Sequence, residues 1–250
     1  MCLKNCFWIA SFLSLLFLSG CAAERAPSAQ DPFEGFNRAM FAVHERIDSA
    51  LLKPAAQGYD ALTPLPVKTG AFNFFDNFRD IGRGGNAFLQ GKGQEGLSGW
   101  ARFLINSTVG LFGVFDVASE MDVSRGDADF GQTLGVWGVS SGPYLFVPLA
   151  GPFTGRDLAG FAVDQSIDPL WRQVEDHPAL RNSLLGLSAV QARARLLPAD
   201  RVLEEASLDK YAYLRAAYLQ RRAAQIRGET ALNEDEEDND DSDLREGAAQ

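Results

Sequence analysis

Histidine and cysteine, the side chains behind most metal-centred and nucleophilic chemistry, are scarce in this 250-residue chain. The two histidines, His44 and His177, lie far apart and have no carboxylate at ligand spacing, which argues against a bound catalytic metal. The three cysteines, Cys2, Cys6 and Cys21, all precede residue 22, so the remainder can form neither a disulfide nor a thiolate metal site. No stretch after residue 20 reaches the roughly 18 uninterrupted apolar residues of a transmembrane helix, and no internal repeat is evident. Positive charge is also in deficit, with a net charge of -10. The acidity is local: Glu229 to Gln250 holds ten acids against one arginine, and the body between leader and tail is close to neutral. No global basic balance points to nucleic acid.

The beginning of the chain is more informative. Lys4 supplies a positive start, Phe7 to Phe17 is an apolar run too short to span a bilayer, and Leu18-Ser19-Gly20-Cys21 closes it with small residues and a cysteine. This pattern resembles a lipobox, which implies cleavage before Cys21, a diacylglyceryl group on its sulfur and an acyl chain such as palmitate on its new amino group. One acyl chain holds a protein to a membrane only marginally, whereas three are effectively permanent. The alternative is an ordinary secretory signal cut after Ala22 or Ala23. The chain thus divides into a signal at 1–20, an acylated tether at 21–30, one domain at 31–228 and an acidic tail at 229–250. The tail lacks aromatics and repels itself, so it is expected to be disordered, with a solubilising role.

Within 31–228 the pattern is helical. Asp31 can cap a helix that starts at Pro32, with Phe33, Phe36, Met40, Val43, Ile47 and Leu51 at three-four spacing. Such a stripe is either a core face or, this close to the anchor, a membrane face. A phenylalanine-rich segment from Val67 to Gln90 reads as helix. A second amphipathic pattern begins at Gln94 and carries Leu97, Trp100, Leu104 and Ile105. It runs into the glycine-broken apolar stretch Val109 to Phe115, which is either buried core or an interfacial element. Gly138 to Phe153 is loop-like, because Pro143 and Pro148 exclude a helix interior and a central strand. Further helices are expected over Asp157 to Ser166, Leu180 to Leu196 and Leu203 to Arg227. Gly228 suits a C-cap, and Arg221, Arg222 and Arg227 suit the helix dipole. The fold class is mostly α.

Two motifs suggest chemistry. Gly138-Val139-Ser140-Ser141-Gly142 matches GxSxG, with Asp164 or Asp168 and then His177 following in hydrolase order, as in a lipid esterase. The serine elbow needs a helix directly after it, and Pro143 and Pro148 oppose one. The distance from Ser140 to His177 also leaves little room for the intervening strands. Gly82-Arg83-Gly84-Gly85-Asn86-Ala87 fits GxGxxA, but no strand precedes it and no acid follows at the required spacing, so a flexible or closely packed turn is the better reading. What remains is surplus apolar and aromatic surface, rich in phenylalanine, on a body held at a membrane. A two-tailed phospholipid exposes around 30 methylenes, at a cost on the order of 20 kcal/mol in water. A protein that moves such molecules must shield the tails and also solvate a phosphate, which favours an amphipathic path.

Several stretches together carry a specific likeness. They are Asp31-Pro32-Phe33-Glu34-Gly35-Phe36-Asn37-Arg38, Phe88-Leu89-Gln90-Gly91, Arg102-Phe103-Leu104-Ile105-Asn106-Ser107-Thr108, Asp129-Phe130-Gly131-Gln132-Thr133-Leu134-Gly135, Gly142-Pro143-Tyr144-Leu145 and Tyr218-Leu219-Gln220-Arg221-Arg222. In these the chain resembles the MlaA (VacJ) family of outer-membrane lipoproteins. The resemblance implies a single ring-like helical domain in the inner leaflet of the outer membrane, facing the periplasm. It implies a central amphipathic channel, a trimeric porin partner and a soluble periplasmic lipid carrier. Phospholipids mislocalised in the outer leaflet would pass through the channel to the carrier, with no enzymatic step and no cofactor. On this reading Cys21 is the anchor, and Phe33, Phe36, Met40, Leu111, Phe112 and Phe115 are embedded in the membrane or line the lipid path. Tyr144, Leu145 and Phe146 line or gate that path. Asn37-Arg38 and Asp129 to Gly135 are open to a purely structural role. The rival functions are a lipoprotein that braces porins and an esterase acting through Ser140.

Overall fold

The computed structural model describes residues 31–206 and 209–228. The expected signal peptide, the expected anchor Cys21 with its tether, and the acidic tail lie outside the described residues. The chain runs through α1 (Glu34–Ile47), a π-helical turn (Asp48–Leu52), α2 (Lys53–Leu62), α3 (Leu65–Leu89), α4 (Gly93–Thr108), the short α5 (Val117–Glu120) and α6 (Phe130–Val136). A hairpin of β1 (Tyr144–Val147) and β2 (Gly151–Thr154) follows, and then α7 (Gly155–Ile167), α8 (Pro169–Gln173), α9 (Pro178–Ala206) and α10 (Lys210–Arg227). The mostly α expectation holds, and no described helix is long and apolar enough to cross a membrane.

Short polar side chains start most of the later helices. Asp116, Asp129, Thr154, Asp168 and Asp209 each accept a backbone N–H in the first turn of α5, α6, α7, α8 and α10 respectively. Such a cap satisfies donors that the helix cannot, and is worth about 1 kcal/mol. Asp209 also corrects one expected boundary. The helix anticipated from Leu203 is divided between the end of α9 and α10, which starts afresh at Lys210 and ends on left-handed Gly228 (φ 78°). Asp31 departs from its expected role too. Helix α1 begins at Glu34 without a side-chain cap, and the Asp31 carboxylate is engaged elsewhere.

The segment read as a loop contains a hairpin. Tyr144 pairs with Thr154, Leu145 with Phe153, Phe146 with Pro152 and Val147 with Gly151 in an antiparallel ladder. Pro152 is tolerated because a two-stranded sheet has only edges. Tyr144 and Phe146 point inward together and meet Tyr211 of α10, with Met40, Phe41, Tyr218 and Leu219 packed around them. The rings meet edge to face, as their quadrupoles favour.

The glycine motif at 82–87 lies inside α3 rather than in a turn. Close packing is nevertheless why one of its glycines is there. A Cβ on Gly84 would sit 2.5 Å from the Trp100 ring and 2.9 Å from the Gly96 carbonyl, and one on Gly99 would sit 3.1 Å from the Gly84 backbone. Helices α3 and α4 therefore touch backbone to backbone along a glycine seam.

Neighbour relations among the elements close on themselves. Helix α1 packs on β1, β1 on β2, β2 on α7, α7 on α6, α6 on α3, α3 on α9, α9 on α2, and α2 through the π-turn back onto α1. Such a circuit is what a ring-like domain requires. Helix α4 flanks α3, and α10 bridges α6 and β2.

Candidate membrane-facing belt and lipid groove

Each predicted apolar face can be placed. Along α1 and its flanks, Phe33, Phe36, Val43 and, in the π-turn, Leu51 are exposed, while Met40 is partly buried beside the aromatic cluster. The inward position of this helix is instead Asn37, which is fully buried. Its amide donates to Asp31 Oδ1 and to the Tyr144 carbonyl, each at 2.9 Å, and accepts the Phe146 N–H at 2.9 Å. One side chain thus clamps the hairpin to α1. Arg38 beside it bonds Glu34 and Asp209 and stacks on Tyr211, so this pair is structural. On α4 the pattern repeats: Leu97, Trp100 and Leu104 are exposed, and Gly96, Gly99, Arg102 and Asn106 are buried.

The apolar side chains of Val109 to Phe115 are exposed, while Gly110 and Gly113 between them are buried. Leu111 (φ 51°), Phe112 (φ 57°) and Gly113 (φ 86°) adopt left-handed backbone in succession. For leucine and phenylalanine that conformation is strained, and it persists only where the surroundings impose it. The restraints are visible here: Gly113 N–H bonds the Asn106 carbonyl at 2.8 Å, Phe115 N–H bonds the Gly110 carbonyl at 2.9 Å, and Gly110 has no room for a Cβ beside the Phe115 carbonyl. The loop holds Leu111 and Phe112 outward, 61% and 72% exposed. Tyr144 and Phe146 pack in the aromatic cluster, and Tyr144 also borders a cleft beside Phe33 and Pro143. At 1% and 3% exposure they touch protein, and Leu145 lies on the other face of the strand, half-buried.

The interior is built from charge. Fifteen polar or charged residues are buried among the described ones, against eleven apolar. Asp31 takes Tyr211 Oη, Arg215 at 2.9 Å and the Asn37 amide. Asp157 takes Arg222 at 2.9 Å, Arg156 at 2.9 Å and Tyr218 Oη at 2.7 Å. Burial raises the Asp157 carboxyl, but the Arg222 and Tyr218 bonds outweigh it and hold its pKa at about 2. Arg222 continues to Asp129 at 2.6 Å, so it ties α10 to α6 and α7 rather than answering the dipole of its own helix. Between α3 and α4, Arg102 reaches Asp116 at 2.6 Å and lies 3.4 Å from Asp80, while Arg83 forks onto Asp76 at 2.9 and 3.0 Å. Burial again works against Asp116, and the bonds from Ser119 and Asn106 with the Arg102 charge bring it to about 2. For Asp80 burial wins over its arginines, and its pKa is raised. Arg193 joins Asp48 to Asp200 at 2.7 and 2.8 Å, which fastens the π-turn to α9.

Sequence reasoning did not find these joints, although Asp76, Asp80 and Arg83 share one face of α3. It also missed a groove of about 780 Å³ between α3 and α7, reaching Trp100 of α4. Its walls are amphipathic, with Phe78, Ile81, Leu89, Phe161 and Ile167 beside Arg79, Asp164 and Asp168. A second cleft of about 800 Å³ lies between Phe33, Pro143 and Leu219, where the described chain begins. The hydrolase candidates have other places in the fold. Ser140 lies in irregular chain followed by a strand, Asp164 accepts from Asn86 and the Phe130 N–H, and Asp168 caps α8.

Comparisons with known proteins agree with this architecture. A family model described as "MlaA lipoprotein" matches residues 29–225. Proteins named "Intermembrane phospholipid transport system lipoprotein MlaA" are similar at 33% identity. The Haemophilus influenzae one aligns over 85% of this chain and 87% of its own length, and the Escherichia coli one over 84% of each. A solved structure described as "Structural basis for maintenance of bacterial outer membrane lipid asymmetry" superposes with a TM-score of 0.67 at 35% identity, covering 77% of this chain and 96% of that one. With a closed circuit of helices, an outward apolar belt and these matches across most of its length, the chain belongs to the MlaA lipoprotein family.

Proposed function

We propose that this protein is an outer-membrane lipoprotein that takes mislocalised phospholipids from the outer leaflet and passes them along an amphipathic path to a soluble periplasmic carrier. Cys21, acylated, anchors it from the periplasmic side. The observation that carries the reading is the inversion of side-chain burial, with carboxylates and arginines inside and phenylalanine, leucine and tryptophan outside. Water as the surrounding solvent disfavours contiguous apolar surface on this scale, whereas hydrocarbon favours it. A domain sunk in one leaflet can solvate a headgroup in an amphipathic groove, where Arg79, Asp164 and Asp168 stand beside apolar walls that shelter the tails. A trimeric porin fits the reading as the partner that carries such a domain across to the outer leaflet.

The test is the amount of phospholipid in the outer leaflet of cells lacking the protein, complemented with the wild-type chain or with Ser140→Ala. Loss of the protein should raise surface phospholipid, and both chains should restore it. Unchanged surface phospholipid, with porin binding intact, would leave bracing of the envelope as the function. Restoration by the wild type alone would make Ser140 catalytic.

A further inference from the structure

The groove between α3 and α7 has two properties that the fold does not need. The first is its floor. Gly82 and Gly85 face it from the middle of α3, and a Cβ on either would meet nothing within 4 Å. Glycine inside a helix costs about 1 kcal/mol relative to alanine. At Gly84 the reason is the contact with Trp100 and α4. At Gly82 and Gly85 no packing reason exists, and what their missing side chains provide is space.

The second property is the state of its charges. Arg83 is engaged by Asp76 and Asp80, Asp129 by Arg222, Asp127 by Gln225, and Asp164 by Asn86 and the Phe130 N–H. Two groups retain capacity. Arg79, with its side chain 48% exposed, meets only Asp76, at a stretched 3.9 Å. Asp168 uses Oδ1 to accept the Leu170 and Trp171 N–H groups, and its Oδ2 has no partner among the described residues. Arg79 and Asp168 share the groove wall and do not form an ion pair with each other, yet they are close enough for the arginine to draw down the pKa of an aspartate that burial raises. An open guanidinium beside an open carboxylate, with Phe78, Ile81, Phe161 and Ile167 alongside, complements an anion joined to a cation and attached to hydrocarbon.

We propose that this groove binds the headgroup of a zwitterionic phospholipid, with Arg79 donating to the phosphodiester, Asp168 accepting from a primary ammonium, and the apolar wall shielding the upper part of the tails. The inference rests on the phospholipid-transport reading above and adds a preference to it. An anionic phospholipid would satisfy Arg79 but would bring its charge to a wall that already holds Asp164 and Asp168. The wall therefore selects for phosphatidylethanolamine over phosphatidylglycerol.

The experiment uses the full acylated chain in detergent, equilibrated with micelles containing equal amounts of phosphatidylethanolamine and phosphatidylglycerol, with bound lipid extracted and quantified. The wild type should enrich phosphatidylethanolamine. Arg79→Gln, which removes a half-exposed charge 3.9 Å from Asp76 and leaves the closer Arg83 pair of that carboxylate in place, should lower total bound lipid by about tenfold, the loss of one charge-assisted contact, and Arg79→Lys should restore part of it. Asp168→Asn keeps an N-cap oxygen and should bring the ratio of the two lipids toward the micelle composition. Gly85→Leu should exclude lipid while leaving helicity and thermal stability at or above wild type. Inorganic phosphate in excess should leave bound lipid unchanged; displacement by phosphate would make this a simple anion site and overturn the proposal. A wild type that retains phospholipid indifferently to Arg79→Gln, Asp168→Asn and Gly85→Leu would overturn the groove and leave the transport reading standing. A wild type that takes up no phospholipid would overturn both.

Discussion

Asp31 is a carboxylate with no exposed surface, while Phe112, 72% exposed, is an aromatic ring held away from the domain on left-handed backbone. In a protein surrounded by water the two would exchange places. Asp31 is tolerated because Tyr211, Arg215 and Asn37 all donate to it, so its charge is balanced and hydrogen-bonded where water is absent. Phe112 is tolerated because its surroundings are read as hydrocarbon. Stability should therefore reside in the charged joints and membrane affinity in the belt, and the two should be separable by mutation.

The largest effect is expected at the joint. Asp31→Ala takes from the half-buried Arg215 its closer carboxylate, leaving Glu34 at 3.5 Å, strands the Tyr211 hydroxyl and frees the Asn37 clamp that holds β1. Losing a fully buried carboxylate that accepts three such bonds should cost about 3 kcal/mol. Urea denaturation of the detergent-solubilised chain should show this as a large fall in midpoint. A loss no greater than that of a surface substitution would mean that the interior is open to water. A smaller loss is expected where belt and core meet. A Cβ at Gly110 would lie 2.1 Å from the Phe115 carbonyl, so Gly110→Ala must displace the loop and should cost about 1–3 kcal/mol.

Acid weakens the depressed carboxylates of the joints and relieves the buried Asp80 and the half-buried Asp164 and Asp168, whose values are raised, while the belt carries no group that titrates there. The Asp157 carboxyl sits at about 2 when folded, against an ordinary 3.8, and Asp116 behaves the same way. Both values are depressed, so their contribution is fully present above the ordinary value. It fades as pH falls from about 4 toward about 2, where the folded groups take up protons. For the buried Asp157 the loss approaches about 2 kcal/mol. Thermal scans at pH 6, 4 and 2.5 should show a decline confined to the last step. Asp157→Asn should be destabilised at neutral pH and lose its own share of that acid sensitivity, Asp116 keeping the remainder.

The unequal legibility of these regions follows from how far apart their causes lie along the chain. The stripe Phe33-Phe36-Met40-Val43 was readable because a helix repeats every few residues, but periodicity gives a face without saying what it faces. Only Asn37 on the opposite side, bonded to a strand 107 residues away, shows that the apolar side points outward. The joints pair Asp31 with Arg215 across 184 residues, and nothing local announces them. Pro143 and Pro148 correctly excluded a central strand yet hid a two-stranded hairpin, in which every strand is an edge. At 82–87 close packing was legible from the glycines but the helix was not, because two of these glycines serve the groove and one serves the seam. The family likeness spanned the same stretches that later proved to hold the joints, Asp31 to Arg38 and Asp129 to Gly135 among them.

The smallest effect on stability is expected at Leu111 and Phe112, and it is the sharpest test of the contrast. Asparagine tolerates left-handed backbone better than leucine or phenylalanine, so Leu111→Asn with Phe112→Asn should leave the unfolding midpoint unchanged or slightly raised. Each lost apolar side chain removes about 1.5–3 kcal/mol of transfer free energy into hydrocarbon, so the pair should weaken membrane binding by at least about a hundredfold. The measurement is partitioning onto phospholipid vesicles in a Cys21→Ser background, where the proposed acyl anchor no longer dominates. Loss of stability with unchanged partitioning would place this loop against protein. Unchanged stability with lost partitioning would mean that the strain in Leu111 and Phe112 persists to hold two apolar side chains in the bilayer.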